Sequence, residues 1–473
     1  MQRSVNSLSG SLIQANLLTR LNQIPGTKST TRIIFLLSLV WLAEAFDIGV
    51  VGPVLSILTK SWHLTASQTG ILAVASTLGV VIGMIPSGVL ADKIGRRKVV
   101  LWGILFFSVL TVIGATVHNV GQLAAIRFFA GIGEGAVLPM PYLFLSEFVH
   151  GRQRAQSVGY ANGVLTAAYV IPNLASLWAL HSFSGSLAWR FPFLMGGIPL
   201  LTLLPLYLWL PESPRYLLKV GKTDEVQELV EHLEDEAGLS HDATLVDKSI
   251  SVSLRALPER GAKALRTMFH KPYLGRSVMV TMQLTAALML FYILQVFGPT
   301  LLLNRGSNIG SAILLSGLMM LIGGIGSIVQ GHLSDKFGRK RVLTLYVILA
   351  SAGCILFTVS DLPTVTLLSS LLTSWFGLGI FPVTKLCVAE QYPTELRGRG
   401  VYMDEMTART LSGVATTYFV PFFVGSYGNH VVFIGVAVIL VVFSLPFLLL
   451  GRETAGIPME EAGMEGSAKV QSA

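Results

Sequence analysis

Apolar residues in this chain come in long runs, and the polar residues gather between them at regular intervals. A helix needs about 20 residues to cross the hydrocarbon core of a bilayer. Runs of that length occupy 33 to 55, 70 to 91, 99 to 117, 121 to 147, 155 to 181 and 189 to 210. After a polar stretch, six more occupy 274 to 301, 310 to 332, 341 to 359, 363 to 390, 402 to 424 and 428 to 450. The pattern predicts an all-α membrane protein with twelve transmembrane helices. Its divisions are a tail over 1–32, a six-helix bundle over 33–210, a linker over 211–273, a second six-helix bundle over 274–450 and a closing tail over 451–473.

The two bundles read as copies of one unit. Gly88-x-x-x-Asp92-Lys93-x-Gly95-Arg96-Arg97-Lys98 returns as Gly331-x-x-x-Asp335-Lys336-x-Gly338-Arg339-Lys340-Arg341. Glu147, followed by Gly151-Arg152-x-Arg154, returns as Glu390, followed by Arg397-Gly398-Arg399. From Gly88 to Gly331 and from Glu147 to Glu390 the shift is the same 243 residues, the mark of an internal repeat. Small residues at Gly79, Gly83, Gly131, Gly135, Gly317, Gly323, Gly324 and Gly326 allow helices to cross closely.

Composition agrees with a membrane solvent. Charged residues make up 13% of the 473, against 52% hydrophobic, where a soluble domain carries about 25% charged. Basic residues concentrate in the loops after even-numbered spans, whereas loops after odd-numbered spans hold only Lys60, Arg190 and Arg305. Retention of Lys and Arg on the inner side then places both termini in the cytoplasm of a multi-pass plasma-membrane protein. The net charge of +8 follows from this sorting and gives no basic face for nucleic acid.

The first 32 residues lack the order of a cleaved secretory signal. In the linker, Val226, Leu229, Val230 and Leu233 fall at helical spacing, Glu228, Glu231, Glu234, Asp235 and Glu236 lie on the other face, and Gly238 can end the helix. This reads as an amphipathic surface helix with a solvated acidic face. Cys354 and Cys387 both fall inside spans, so neither a disulfide framework nor a metal site is expected. Gly221-Lys222-Thr223 is similar to a phosphate-binding loop, but the earlier glycine is replaced by Tyr216 and no strand precedes it. An enzyme is not expected.

Charged residues inside spans are costly and by default functional. Span one carries Glu44 and Asp47, three residues apart on one helical face; span four carries Arg127, span ten Lys385 and span eleven Arg409. Burial disfavours an ionised carboxylate and a nearby guanidinium favours it, opposing effects that suit proton exchange; a permanent ion pair would have the same sequence. Lys385 and Arg409 either bind an anionic solute or snorkel to the membrane surface. Asn162, Tyr169, Asn173, Gln283, Tyr292 and Gln295 either line a midplane cavity or hydrogen-bond neighbouring helices.

The duplicated loop motif, the Arg127-x-x-x-Gly131-x-Gly133 run, Pro211-Glu212-Ser213-Pro214-Arg215 after span six and Arg452-Glu453-Thr454-x-Gly456-x-x-x-Glu460-Glu461 after span twelve together resemble the major facilitator superfamily. The last two point to its sugar-porter and organic-ion branch. The resemblance covers the membrane-embedded chain and implies two pseudo-symmetric bundles working by alternating access. It implies that Asp47, in an Ala45-Phe46-Asp47-Ile48-Gly49 setting, pairs with Arg127 and carries the coupling proton, with Glu44 beside it. It also implies that Asp92 contacts the start of span eleven, and that Asp92, Arg96, Glu147, Arg152, Asp335, Arg339, Glu390 and Arg397 gate the cytoplasmic side.

Lys385 stands where sugar porters carry a stacking tryptophan, and their span-seven amide and aromatic signature survives here only as Gln283 and Tyr292. Arg409, twelve residues after Arg397, is placed like the carboxylate-binding arginine of organic-anion transporters. The expectation is a proton-coupled symporter of a small organic anion, a monocarboxylate or aromatic acid. Arg409, Lys385, Gln283, Tyr292, Gln295, Asn162, Tyr169 and Asn173 would form the substrate site. No cofactor beyond the proton gradient and a monomer in the bilayer are expected. A sugar or polyol symporter, a uniporter and a non-transporting nutrient sensor remain the alternatives.

Overall fold

The computed structural model describes residues 13–148, 154–240, 270 and 273–454 apart from positions 15, 22 and 393. Of Asp92, Ser146, 154–156 and 394–399 it describes the backbone alone. Eleven helices among these residues are long and apolar enough to cross a membrane: Lys28–Ser61, Ala66–Ala91, Arg96–Gly114, Val120–Leu145, Ser157–Ser182, Leu187–Trp209, Tyr273–Leu303, Ile309–Phe337, Arg339–Val359, Pro363–Glu390 and Asn429–Leu450. The remaining predicted span, 402 to 424, is also helical, running through Thr394–Arg409, a π turn over Thr410–Val414 and Ala415–Tyr427. Asp404, Glu405 and Arg409, all buried, lie within it.

Several spans run past the apolar windows. Span one begins at Lys28 rather than 33, where Thr27 Oγ1 caps the helix by accepting from Thr30 N at 3.1 Å. Polar end residues complete the helix without adding to the apolar signal.

Seven spans lose regular helical bonding along their length; in span four the break is at Leu138 and Pro139, and in span six it runs from Gly196 to Thr202. Span one is interrupted at Val50, ahead of Pro53; span five at Tyr169, ahead of Pro172; and span ten at Ile380, ahead of Pro382. Span seven widens into a π turn over Ile293–Phe297 before Pro299, and span eleven does so over Thr410–Val414. Proline has no N–H for the carbonyl four residues back, so the sequence itself writes most of these breaks. Interrupted backbone at membrane depth is tolerated where it lies inside protein or along a cavity.

Spans two and four cross at glycines. A Cβ at Gly79 would stand 2.0 Å from the Phe128 carbonyl oxygen, and one at Gly131 would stand 2.2 Å from that of Ser76. No side chain fits there, and the close approach sets Ser76 of span two against span four.

The duplicated motifs build one device twice, at the ends of the helices that carry them. Gly95 and Gly338 have φ of +99° and +92°, which lets the chain turn directly into spans three and nine. The opening amides of those helices are then capped from afar. Arg96 N and Arg97 N donate to Glu212 Oε1 at 2.9 and 3.2 Å, and Arg339 N and Lys340 N donate to Glu453 at 3.0 Å each. A carboxylate there satisfies unpaired donors and meets the positive end of the helix dipole. The Arg96 side chain pairs with Glu147, which accepts from Ser213 Oγ at 2.6 Å; Arg339 pairs with Glu390, which accepts from Thr454 Oγ1 at 2.6 Å.

The linker helix spans Thr223–Ala237 and ends at Gly238 with φ +67°. Its Val226, Val230 and Leu233 pack on Leu17, Leu21 and Ile24 from the segment before span one. One expectation is corrected. Glu234 is buried rather than solvated, because Arg20 donates to it from Nε at 2.8 Å and Nη2 at 2.5 Å. The neighbouring Glu236 accepts from Ser29 N at 2.9 Å and Ser29 Oγ at 2.8 Å, and these donors hold its carboxyl below the usual carboxylate value.

Candidate functional site

Two groups of buried charges flank the interrupted segments. The first centres on Arg127 of span four, which is 2% exposed. Its Nη1 donates to Asp47 Oδ1 at 3.2 Å and to Thr111 Oγ1 at 3.0 Å; its Nη2 donates to Ser76 Oγ at 2.9 Å and to Glu134 Oε1 at 3.0 Å. Asp47 Oδ2 also lies 3.1 Å from Nη2, and Thr111 donates to Asp47 Oδ1. Spans one, two, three and four thus each supply a side chain to one guanidinium. Asp47 and Glu134 are both fully buried.

The second group lies in the other bundle. Glu405 Oε1 accepts from Lys385 Nζ at 3.1 Å and from Arg409 Nε and Nη2 at 3.1 and 2.9 Å. Arg409 Nη1 donates to the Tyr292 hydroxyl at 2.9 Å. Lys385 Nζ lies 4.4 Å from the centre of the Tyr142 ring, contributed by the first bundle, within range of a cation–π attraction.

Between the groups is a cavity shared by both bundles. Glu44, Tyr142, Asn162 and Tyr169 line it from the first; Phe291, Tyr292, Phe381, Lys385 and Arg409 line it from the second. Glu44 sits one turn before Asp47, is 2% exposed, and its Oε2 has no hydrogen-bond partner among the described residues. Aromatic faces together with two cations suit a small ring that carries negative charge.

The structure separates the candidates. Snorkelling does not occur: Lys385 and Arg409 are held in the interior by Glu405, a local acid that compensates both cations. Gln283, Gln295 and Asn173 do not line this cavity. Gln295 Nε2 instead donates across to Ile48 O at 2.8 Å, Asn173 Nδ2 donates to Tyr169 O at 2.8 Å, and Gln283 is buried with neither amide atom hydrogen-bonded among the described residues. Asn162 does line it, and donates to Ser327 Oγ at 3.2 Å and Thr166 Oγ1 at 3.3 Å.

Of the gating candidates, Arg96, Glu147, Arg339 and Glu390 meet in the paired networks above, and Asp335 is exposed at the end of its span. The side chains of Asp92 and Arg397, and all of Arg152, lie outside the described residues.

Sequence reasoning passed over Glu134 and Glu405. A signal existed in both cases: Glu134 follows Arg127 by seven residues and Glu405 precedes Arg409 by four, spacings that share a helical face. Ser76, Thr111 and Tyr142 carried no such signal, since their partners are on other spans.

Comparison with known proteins agrees with the architecture. A family model described as "Sugar (and other) transporter" matches residues 33–465. The niacin transporter NiaP of Acinetobacter baylyi is 26% identical over 450 residues, covering 95% of this chain and 100% of that protein. The 4-hydroxybenzoate transporter PcaK of Pseudomonas putida is 26% identical over 417 residues, covering 85% and 87%. Among solved structures, the proton:xylose symporter XylE bound to 6-bromo-6-deoxy-D-glucose superposes with a TM-score of 0.76 at 21% identity, over 92% of this chain and 98% of that one.

Proposed function

The chain belongs to the sugar (and other) transporter family of the major facilitator superfamily, and on that footing we propose that it carries a small aromatic carboxylate across the membrane by alternating access, in symport with a proton. The observation that carries this reading is the convergence of Lys385 and Arg409 on the single acceptor Glu405 at an aromatic-lined cavity between the bundles. Two cations there have one acid in common, so a carboxylate entering the cavity competes for donors already oriented toward it. Guanidinium offers a planar fork to carboxylate, and the Tyr142, Tyr169, Phe291 and Phe381 rings supply apolar faces for the ring of the solute. That relatives are named for niacin and 4-hydroxybenzoate supports the same solute class.

Coupling is assigned to Asp47 and Arg127. A proton arriving on Asp47 weakens its hold on Arg127 and alters the packing of spans one and four, both of which border the cavity. Glu44, lining the cavity one turn away, links that pair to the solute. The networks of Arg96 with Glu147 and Arg339 with Glu390 join helix ends within each bundle, and in this reading they keep each bundle rigid while one rocks against the other.

Uptake by proteoliposomes tests the proposal, with labelled 4-hydroxybenzoate, nicotinate and D-xylose offered under an imposed pH gradient. Gradient-driven accumulation of an aromatic carboxylate is expected. Accumulation of xylose alone would replace the solute assignment, and carboxylate uptake indifferent to the gradient would remove the coupling.

A further inference from the structure

The central charges do not balance if all are ionised. Around the cavity and Arg127, Glu44, Asp47, Glu134 and Glu405 stand against Arg127, Lys385 and Arg409, four acids to three bases, while the buried Asp404 is set apart among the hydroxyls of Ser277, Thr281 and Tyr392. A surplus carboxylate away from water is strongly disfavoured, and the economical remedy is one retained proton. Its place is indicated by geometry. Arg127 Nη2 lies 3.0 Å from Glu134 and 3.1 Å from Asp47, and the two carboxylates are within hydrogen-bonding reach of each other. Asp47 Oδ2 accepts no hydrogen bond from any described donor. An O–H between the acids supplies the missing donor, and like charges sharing one site resist joint ionisation.

We infer that Asp47 and Glu134 form a dyad that holds one proton between them beside Arg127, so that the exchanged proton belongs to the pair and not to Asp47 alone. Facing Glu134 are Arg127 on its own span, Asp47 and Glu44 on span one and Ser76 on span two, with Thr111 of span three reaching it through Asp47; Tyr169 and Tyr292 stand farther off across the cavity. Arg127 is the one cation in contact with the dyad among the described residues. With the proton in place the seven groups sum to zero, and without it they sum to −1. A carboxylate solute is therefore better tolerated in the cavity when the dyad is protonated, which is the charge relation symport requires. The inference deepens the coupling proposed above and rests on it for its role in transport.

Infrared difference spectra of the purified full chain, taken between neutral and alkaline pH in light and heavy water, read the proton directly. The wild type should show a protonated carboxylic C=O band at neutral pH that shifts in heavy water and is lost in alkali. Glu134→Gln and Asp47→Asn, each leaving one acid for Arg127, should both remove that band; should one variant fail to accumulate, the other still decides. A wild type without the band, or a band that persists in either variant, overturns the dyad. Proteoliposome uptake of 4-hydroxybenzoate and nicotinate by the wild type separates the two claims. Loss of the band in both variants with gradient-indifferent uptake leaves the dyad and removes the coupling, whereas gradient-driven uptake with the band unchanged does the reverse.

Discussion

Arg409 donates from Nε at 3.1 Å and Nη2 at 2.9 Å to one oxygen of Glu405, a single turn earlier on the same helix. The contact explains how a guanidinium is kept at membrane depth before any solute arrives. It also makes Glu405 a competitor of the solute: whatever carboxylate enters must take donors from an acid already holding them.

Removing that competitor should therefore tighten binding and weaken the fold. In Glu405→Gln, Lys385 and Arg409 lose their common counter-charge, a buried pair whose breakage costs about 3–5 kcal/mol. Titration calorimetry with 4-hydroxybenzoate and nicotinate should show higher affinity than the wild type, beside a lower Tm in the absence of solute. Arg409→Ala should do the opposite to affinity, lowering it by about ten- to a hundredfold, the worth of a hydrogen bond to a charged group. An unchanged Kd in Arg409→Ala would mean that the solute is held elsewhere.

Asp47→Asn keeps the shape of the site and removes its capacity to gain and lose a proton. Counterflow of labelled solute should continue at neutral pH, while accumulation driven by a pH gradient should vanish. Gradient-driven accumulation in this variant would end the assignment of coupling to span one.

The paired networks predict paired sensitivities. Ser213→Ala and Thr454→Val each strip one buried hydrogen bond from a carboxylate, worth about 1.5–3 kcal/mol, and should lower Tm by similar amounts. Gly95→Ala should cost more than either. Its φ and ψ of +99° and +151° are essentially restricted to glycine, a strain of about 1–3 kcal/mol for other residues, and the new Cβ would stand 2.2 Å from Glu212 Oε2. Thermal unfolding in detergent measures all three.

The linker helix should release its hold on span one in acid. The folded value of Glu236 is depressed by its Ser29 donors, so its contribution is present above the ordinary carboxylate value of 4.5 and is lost as pH falls through the lower, folded value. Hydrogen exchange over 28–32 and 223–237, taken relative to the intrinsic amide rate because that rate itself falls in acid, should be slow at neutral pH and accelerate only below that range. In Ser29→Ala the acceleration should begin at a higher pH; an identical profile would remove Glu236 from the contact.

What the sequence determined by itself is everything carried by periodicity and repetition. Apolar runs fixed the spanning helices, and the 243-residue shift between Glu147 and Glu390 revealed the duplication. The charges of Glu44, Asp47, Arg127, Lys385 and Arg409 were conspicuous because apolar surroundings make them costly. Their partners were not, because choosing a partner is a matter of distance between helices and not of spacing along one. Only the tertiary structure brought Ser76 and Thr111 to Arg127, laid Tyr142 under Lys385, tied Gln295 to the Ile48 carbonyl and sank Glu234 beneath Arg20. A span records in its own residues that it must bury a charge; which neighbour satisfies that charge is set by how the helices cross.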